Sequence, residues 1–547
     1  MENKHYVNPN TDRGRFSEYK EIKNDYNYIE YDMNSKEPNK YAGLGIEIEQ
    51  DSNGCVKGAI VDGKDTNTIV VSNTGSGKTR RILSQYIISC IFALQSFIIH
   101  DPKGELYAFF YKLLRKKGFN IRVLNLREPM TGDRLNFLQE AAILWKQGRE
   151  GRAIEIARGV AETLYLPLED KNDKFWTQTA INLFLCYFTI AATILKPEYV
   201  TLGAIYKIHI QGTEKAGSSS KMLMYLEENK NEKCYELGIP SITAPNDTRQ
   251  SIFSVFTNGV VRVILNEDIE DMTTKSTFSV DEFVSAKQPM ALFIITRDES
   301  PQTYSTVVAS IVDMIYTTLI DLAHSKYNNT LPRTCHFILE EFGNIAQLAN
   351  INDMMTASRS RNIRMVLVVQ SLCQLYINYS KELAHVLIGN SQNLVYMSST
   401  DMDLVEMISK RCGNMIDLYM NETRRLLSPD RLTHLDKEKG ETLFLLDRHY
   451  PYISFLPDLS CYKMIEPLKR VKFKERAKLV MEDVGFSKLV DEIQDKKIHD
   501  LLERQKEEME ENRKKQELSK KEMLMIPDEL LVEMNRIIQS VYRRCDL

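Results

Sequence analysis

Neither sign of charge dominates this sequence, in which 71 Lys and Arg residues face 75 Asp and Glu residues for a formal net charge of −4. That balance excludes a globally basic, histone-like nucleic-acid binder, although a local basic surface is compatible with it. Cysteines are few and scattered, and the nine of them form no C-x-x-C pair. This pattern argues against a zinc site or a disulfide framework and is typical of small buried side chains in a reducing compartment.

Long apolar runs and a signal peptide are missing as well. The first residues are polar and lack the apolar core of a signal peptide. The two strongest apolar stretches, residues 86–99 and 180–195, are shorter than the ~20 apolar residues that cross a bilayer. The stronger of the two, residues 180–195, predicts a buried helix, and the sequence predicts a cytoplasmic protein without a transmembrane helix.

Apolar β-branched runs alternate with helical patterns in two separate parts of the chain, residues 66–138 and 285–468. The strands predicted there are 67–72, 95–101, 120–126, 290–296, 335–341, 363–371, 392–399 and 441–447. Buried runs separated by helices are typical of β-α-β units and a parallel sheet. Residues 139–284 show helical patterns almost throughout, which predicts an α/β domain interrupted by an inserted all-α domain.

Two flanking segments complete the predicted organisation. Residues 1–65 contain a Gly-rich stretch suited to short strands. Residues 469–547 form a charged helical extension, whose strongest helical pattern covers 491–523. Its charges are nearly balanced and its apolar seam is thin, which favours a solvated helix over the alternative of a partner-binding arm.

The sharpest motif is VVSNTGSGKT at residues 70–79, where an apolar strand leads into a Gly-rich loop and then a helix. Such a loop wraps a phosphate chain with its backbone N–H groups, with Lys78 reaching the β- and γ-phosphates and Thr79 bound to Mg²⁺. The motif usually begins with glycine, and Ser72 stands there. An ordinary Gly-rich turn is the alternative. The predicted nucleotide-binding residues are Ser72, Asn73, Thr74, Gly75, Ser76, Gly77, Lys78 and Thr79.

Three further side chains are predicted to act with the loop. Glu340 and Glu341 end an apolar strand, so they lie at the carboxyl edge of a parallel sheet, where the loop also lies. We expect Glu340 to hold Mg²⁺ through water and Glu341 to polarise the attacking water. Gln370 ends the next strand and is a candidate γ-phosphate sensor. For the acid pair alone, a plain helix N-terminus is the alternative interpretation.

Arg359 lies in the basic loop 358–364 (SRSRNIR). An arginine beside an ATP site suits a finger that stabilises the transition-state charge in a neighbouring subunit. A solvated basic turn explains the loop about equally well.

Several strings in a fixed order resemble the type IV secretion coupling proteins, the TraG/TraD group of conjugative DNA-transfer ATPases. The resemblance runs from residue 66 to residue 462. The strings that carry it are 100–106 (HDPKGEL), 135–137 (LNF), 173–176 (DKFW), 340–344 (EEFGN), 358–374 and 424–430 (RRLLSPD).

The resemblance implies a RecA-like P-loop domain with an inserted all-α domain, assembled as a hexamer with ATP and Mg²⁺ bound between subunits. It implies Arg359 as the trans-acting finger and Gln370 as the sensor. It further implies that the protein recruits relaxase-bound single-stranded DNA and delivers it to a secretion channel.

Two departures from the family pattern stand out. Glu340 replaces the usual aspartate, and the two membrane-spanning helices with which most members begin are missing. We therefore expect attachment to the cytoplasmic face of the membrane through a separate small anchor protein, with a shortened chain as the alternative explanation. Other functions that share these motifs are a HerA/FtsK-type DNA translocase not tied to secretion, a channel-base traffic ATPase, a P-loop kinase or small-molecule ATP enzyme, and a weakly hydrolysing adaptor that recruits substrates. In either motor, single-stranded or double-stranded DNA is the expected nucleic-acid partner.

Overall fold

The computed structural model describes residues 14–169, 173–216, 219–297, 302–417, 422–479, 483–524 and 527–543. The chain divides into two compact units. The large unit comprises Met1–Ile210 and Leu226–Val484, and the small unit comprises Gln211–Tyr225 and Gly485–Leu547.

Strands occur mainly in the first quarter of the chain and between residues 290 and 455. They are β1 (Asn27–Glu30), β2 (Leu44–Gln50), β3 (Val56–Asp62), β4 (Thr68–Ser72), β5 (Ser96–Asp101), β6 (Asn120–Asn125), β7 (Lys215–Ala216), β8 (Ser219–Ser220), β9 (Met290–Ile295), β10 (Cys335–Leu339), β11 (Ile363–Val369), β12 (Asn393–Ser398), β13 (Asn414–Asp417), β14 (Glu422–Arg425), β15 (Glu441–Leu445) and β16 (Tyr452–Phe455).

Helices fill the intervals between strands and make up the end of the chain. They are α1 (Tyr19–Asp25), α2 (Ser84–Phe92), α3 (Glu105–Lys116), α4 (Gln139–Lys146), α5 (Glu150–Tyr165), α6 (Phe175–Ile194), α7 (Leu202–Thr213), α8 (Lys221–Glu228), α9 (Lys233–Ile242), α10 (Asn246–Ile264), α11 (Glu267–Met272), α12 (Glu282–Ser285), α13 (Gln302–Lys326), α14 (Ile351–Thr356), α15 (Leu372–Asn378), α16 (Lys381–Gly389), α17 (Met402–Arg411), α18 (Pro429–Thr433), α19 (Phe486–Leu524) and α20 (Asp528–Tyr542).

A nine-stranded sheet forms the centre of the large unit, in the order β16-β15-β12-β4-β11-β10-β5-β9-β6. All neighbouring pairs from β12 to β6 are parallel, and β15 and β16 join antiparallel beyond β12. Every residue of β4, β5, β9, β10 and β11 is buried. This is why these strands are continuous apolar runs in the sequence and do not alternate. All eight predicted strands are present.

Strand order in this sheet differs from chain order on the β6 side. β9 lies between β5 and β6, so β6 pairs with β9 and lies at the edge of the sheet. The helices α4–α12 lie between β6 and β9 in the sequence, so the chain leaves the sheet after β6 and re-enters it at β9. The α/β fold with a helical insertion is therefore confirmed, with the small β7–β8 hairpin as a local exception within the helices.

Within the part of the chain that the structure describes, two helices are long and apolar enough to cross a membrane, namely α6 and Thr303–Lys326 of α13. Their most apolar windows are 72% and 83% buried inside the structure. By that measure both resemble core helices. The first overlaps the stretch 180–195, for which the sequence predicts a buried helix.

The remaining smaller sheet of the N-terminal region is antiparallel, with the order β1-β3-β2. In the small unit, the start of α19 packs against its neighbours through the rings of Tyr225 and Phe486, whose centroids are 5.2 Å apart. Lys221 also forms an ion pair of 2.9 Å with Asp491. Beyond this point α19 is solvated, since residues 495–520 are all exposed, as the thin apolar seam predicts.

Candidate active site

The Gly-rich loop connects the end of β4 to a π-helical turn, Thr79–Leu83, which continues into α2. Gly75 and Gly77 have φ angles of +76° and +92°, a region that side chains disfavour. Ser72 is fully buried at the end of the strand, and its hydroxyl hydrogen-bonds to that of Ser76. Serine fits at the first motif position because the backbone there is still extended strand.

The ammonium group of Lys78 is buried in this loop. The Lys78 side chain is only 7% exposed, and its Nζ lies 3.8 Å from Oε1 of Glu341. Nζ makes no hydrogen bond to any described residue. A buried ammonium without hydrogen-bond acceptors is costly unless an anion satisfies it. The position therefore suits a phosphate group.

Thr79 and Glu340 meet directly across the sheet edge. The Thr79 hydroxyl donates a hydrogen bond of 2.5 Å to Oε1 of Glu340. The pKa of Glu340 is raised to about 7, chiefly by burial; Asp101 and Glu341 contribute to the rise, and the Thr79 hydrogen bond and Lys78 oppose it. A hydroxyl and a carboxylate in contact at the end of a phosphate loop are the oxygen ligands that suit Mg²⁺.

Glu341 follows in an unusual backbone conformation, with φ 55° and ψ 45°. A non-glycine residue in this region is sparsely populated and costs roughly 1–3 kcal/mol. The conformation turns the chain sharply after β10, and the Glu341 carboxylate accepts a 3.1 Å hydrogen bond from Nδ2 of Asn344. Its side chain remains 23% exposed, which leaves it accessible to water.

Gln370 lies at the end of β11, next to the loop. The Thr74 hydroxyl donates a hydrogen bond of 3.3 Å to Oε1 of Gln370. The Ser399 hydroxyl donates to the backbone carbonyl of Gln370 at 3.1 Å. Because β4, β11, β10 and β5 are consecutive in the sheet, the loop, Gln370 and both glutamates lie side by side.

Arg359 lies elsewhere. It begins a short 3-10 turn, Arg359–Arg361, that precedes β11, whereas Gln370 follows that strand. Seven residues of strand separate the two edges, about 20 Å. The Arg359 guanidinium donates to the backbone carbonyl of Asp65, and Arg364, paired with Asp65, donates to the Arg359 carbonyl. Arg359 is therefore held at the amino edge of the sheet, away from the loop of its own chain.

Two residues at the site were not predicted, His100 and Asp101 at the end of β5. His100 Nδ1 donates a 2.6 Å hydrogen bond to the backbone carbonyl of Glu340, and burial lowers the pKa of His100 to about 4. Burial raises the pKa of Asp101 to about 6, although it accepts a hydrogen bond from the Tyr107 backbone. The neutral histidine fixes the backbone that carries Glu340. The string HDPKGE was the available signal, but only the pairing of β5 with β10 reveals this role.

A Gly-rich phosphate loop and paired acids at the carboxyl edge of one parallel sheet, with a helical insertion in that sheet, define a RecA-like P-loop domain. The family model for conjugative DNA transfer by type IV secretory systems matches residues 15–416. The chain therefore belongs to this family, as the resemblance predicted.

Individual relatives agree with this assignment. VirD4 of Rhizobium radiobacter is 23% identical over 361 residues, which cover 65% of this chain and 49% of that protein. VirD4 of Agrobacterium fabrum is 22% identical over 359 residues, 65% of this chain and 50% of that protein. The match thus spans about half the length of these relatives.

Solved structures of the plasmid coupling protein TrwB share the fold. Unbound TrwB superimposes with a TM-score of 0.55 at 17% identity, over 77% of this chain and 88% of that chain. TrwB in complex with the ATP analogue ADPNP gives 0.56 at 16% identity, over 82% and 99%. A further TrwB structure, with a TM-score of 0.55 at 17% identity over 77% of this chain and 88% of that chain, contains ADP and Mg²⁺.

Proposed function

We propose that this protein is an ATP-hydrolysing coupling protein that recruits relaxase-bound single-stranded DNA, and protein substrates, and drives them into a type IV secretion channel. The observation that carries the proposal is the buried ammonium of Lys78, which makes no hydrogen bond to a described residue and lies 3.8 Å from Glu341, next to the Thr79–Glu340 contact. This arrangement has a place for a phosphate chain, for a metal and for an attacking water. Family membership supplies the link to DNA transfer.

Each residue has a distinct part in the proposed hydrolysis. Lys78 binds the β- and γ-phosphates of ATP, and Thr79 with Glu340, the latter through water, would hold Mg²⁺. The metal, when bound, neutralises charge on the phosphates. Glu341 takes up the proton of the attacking water, and Gln370 contacts the γ-phosphate. The binding of ADPNP, and of ADP with Mg²⁺, by TrwB supports this assignment.

Arg359 is proposed to act in a neighbouring subunit. Its place at the amino edge of the sheet, with the loop at the carboxyl edge, supports a role across a subunit interface. An arginine finger supplied in trans increases turnover by roughly 10³–10⁵. We therefore propose a homo-hexamer with its ATP sites between subunits.

The proposed partners follow from membership of the conjugative DNA-transfer family. They are single-stranded or double-stranded DNA, the relaxase and its relaxosome, channel proteins of the secretion system, and a small membrane-anchor protein. The proposed location is the cytoplasmic face of the cell membrane. Binding to DNA independently of its base sequence requires contacts to the phosphate backbone.

ATP hydrolysis by Glu341→Gln tests the function. We expect wild-type turnover to rise on addition of single-stranded DNA, and the variant to lose about 100-fold or more in kcat, because it lacks the general base. Glu466→Gln, at an exposed glutamate outside the site, is the matched control and is expected to match the wild type.

The outcomes separate the competing functions. Unchanged turnover in Glu341→Gln would exclude the motor and favour a recruiting adaptor. ATP turnover that ignores DNA but transfers phosphate to a small molecule would indicate a P-loop kinase. Stimulation by double-stranded DNA alone would favour a translocase of the HerA/FtsK type.

A further inference from the structure

The last described helix, α20, carries an apolar face that no described residue covers. Its first turn is acidic, with Asp528 and Glu529, and Arg543 directly follows its last residue. Seven apolar side chains lie between, each at least 45% exposed: Leu530, Leu531, Met534, Ile537, Ile538, Val541 and Tyr542.

These seven side chains share one side of the helix. Their spacing of three, four and seven residues places them within one stripe at 100° per residue. Val532 is also apolar and 61% exposed, but it points to the opposite side. None of the α20 residues is buried. A helix of 15 residues is marginal in water without a packing partner, so this stripe requires a cover.

Six of the seven stripe residues are arranged symmetrically about Arg536. An antiparallel copy of the helix, centred on that residue, brings Leu531 level with Val541 and Met534 level with Ile538. Leu530 likewise lies level with Tyr542, so three kinds of apolar pair form along the seam, as in a short coiled coil, whereas Ile537 lies level with Asn535.

Charge supports the antiparallel direction. The acidic start of one helix then lies beside the basic end of the other, and the two helix dipoles oppose each other. A parallel pair would bring like charges together at both ends. An anionic membrane surface fits less well, because the polar face carries Asp528, Glu529 and Glu533 against Arg536 and Arg543, without a basic excess.

We propose that α20 is a homotypic docking element, in which two copies of this chain pair through antiparallel α20 helices. The interface is isologous, since both helices contribute the same stripe. It is small beside the about 800 Å² per partner of a standard interface, so we expect association at micromolar chain concentrations. The pairing is independent of the nucleotide site and of the proposed ATPase ring.

Sedimentation of the full chain, without nucleotide or DNA, tests the pairing with two matched charge substitutions. We expect Ile538→Glu, within the stripe, to weaken self-association at least about 10-fold, because the carboxylate would be desolvated. Val532→Glu, on the opposite side of the same helix, is expected to self-associate like the wild type. An unchanged thermal melt of the large unit shows that both variants fold.

Three results would overturn the proposal. One is equal self-association of the two variants. Another is a monomeric wild-type chain that sediments with phosphatidylserine vesicles, which would assign the stripe to a membrane. The third is a wild-type chain that is monomeric with and without vesicles, which would indicate that a different protein covers the stripe.

The direction of pairing is tested by disulfide trapping in a background that carries Cys545→Ser. A mixture of Leu531→Cys and Val541→Cys chains is oxidised, and linked peptides are identified by mass spectrometry. Antiparallel pairing predicts mainly 531–541 links between the two variants. A predominance of 531–531 and 541–541 links would overturn the antiparallel arrangement.

Discussion

At the scale of single residues, one buried carboxyl group is only partly stabilised by the hydrogen bonds around it. Asp313, in the middle of α13, is fully buried and accepts hydrogen bonds from the backbone and side-chain amide of Asn350. Burial nevertheless raises the pKa of Asp313 to about 7, with the Asn350 hydrogen bonds opposing the shift. The folded protein thus holds a proton there that the unfolded chain releases at lower pH.

The shift at Asp313 predicts a pH-dependent stability. Because the folded state binds the proton more tightly, the free energy of unfolding falls as pH rises from about 4 to about 7. We expect Asp313→Asn, which cannot ionise, to remove this part of the dependence. Urea unfolding of the large unit between about pH 5 and about pH 8 measures it, with Asp353→Asn, at an exposed acid on α14, as the control. Parallel pH profiles for the wild type and Asp313→Asn would contradict the prediction.

At the scale of elements, the packing of α5 on α13 depends on one glycine. A Cβ atom added at Gly159 of α5 would lie 2.9 Å from Oδ2 of Asp313. At Gly151, in the first turn of the same helix, an added Cβ would meet no heavy atom within 4 Å. Both glycines are helical, but only Gly151 has room around it for a side chain.

Replacement of each glycine by alanine should therefore change stability in opposite directions. We expect Gly159→Ala to lower the free energy of unfolding by about 1–3 kcal/mol through overpacking. Gly151→Ala should raise it by roughly 0.5–1 kcal/mol, because alanine favours the helix. Chemical unfolding of the two variants measures the difference, and a stabilised Gly159→Ala would show that α5 and α13 pack less tightly than described.

Strands and helices of this protein were predictable to different degrees. The eight predicted strands follow from local apolar runs, which full burial on both faces requires. The insertion of β9 between β5 and β6, and the antiparallel pair β15–β16, depend on pairing between distant segments and leave no local signal. The stripe on α20 was missed because the charges of α19 dominate the composition of the extension.

The site shows the same limit. The loop residues, Glu340, Glu341 and Gln370 converge because each follows a strand of one parallel sheet. Arg359 precedes its strand and therefore lies at the other edge. The structural role of Asp101 and His100 becomes apparent only from the pairing of β5 with β10. The division at residues 65, 138, 284 and 468 stays a prediction, as do the catalytic roles.

For the whole molecule, the position of Arg359 predicts complementation between inactive chains. Lys78→Ala and Arg359→Ala should each abolish turnover when assembled alone, the first by loss of phosphate binding and the second by loss of the finger. A mixture of equal amounts should regain about one quarter of wild-type turnover, because a quarter of random interfaces then join an intact loop to an intact finger.

ATPase assays on the mixed assemblies measure this recovery. As the control, Lys78→Ala chains are mixed with chains that carry both substitutions, which leaves no complete interface. Equal, negligible activity of both mixtures would mean that Arg359 serves its own chain or none.

The edge position of β6 has a consequence during synthesis on the ribosome. Its partner β9 follows roughly 160 residues later, after the entire helical insertion. At about 5–20 residues per second, β6 waits on the order of 10–30 s with an unpaired edge. Throughout that interval the nascent chain offers an apolar strand to any other strand, which is an aggregation hazard. The nascent chain therefore requires either rapid folding of the helical insertion or binding by a chaperone to protect this strand.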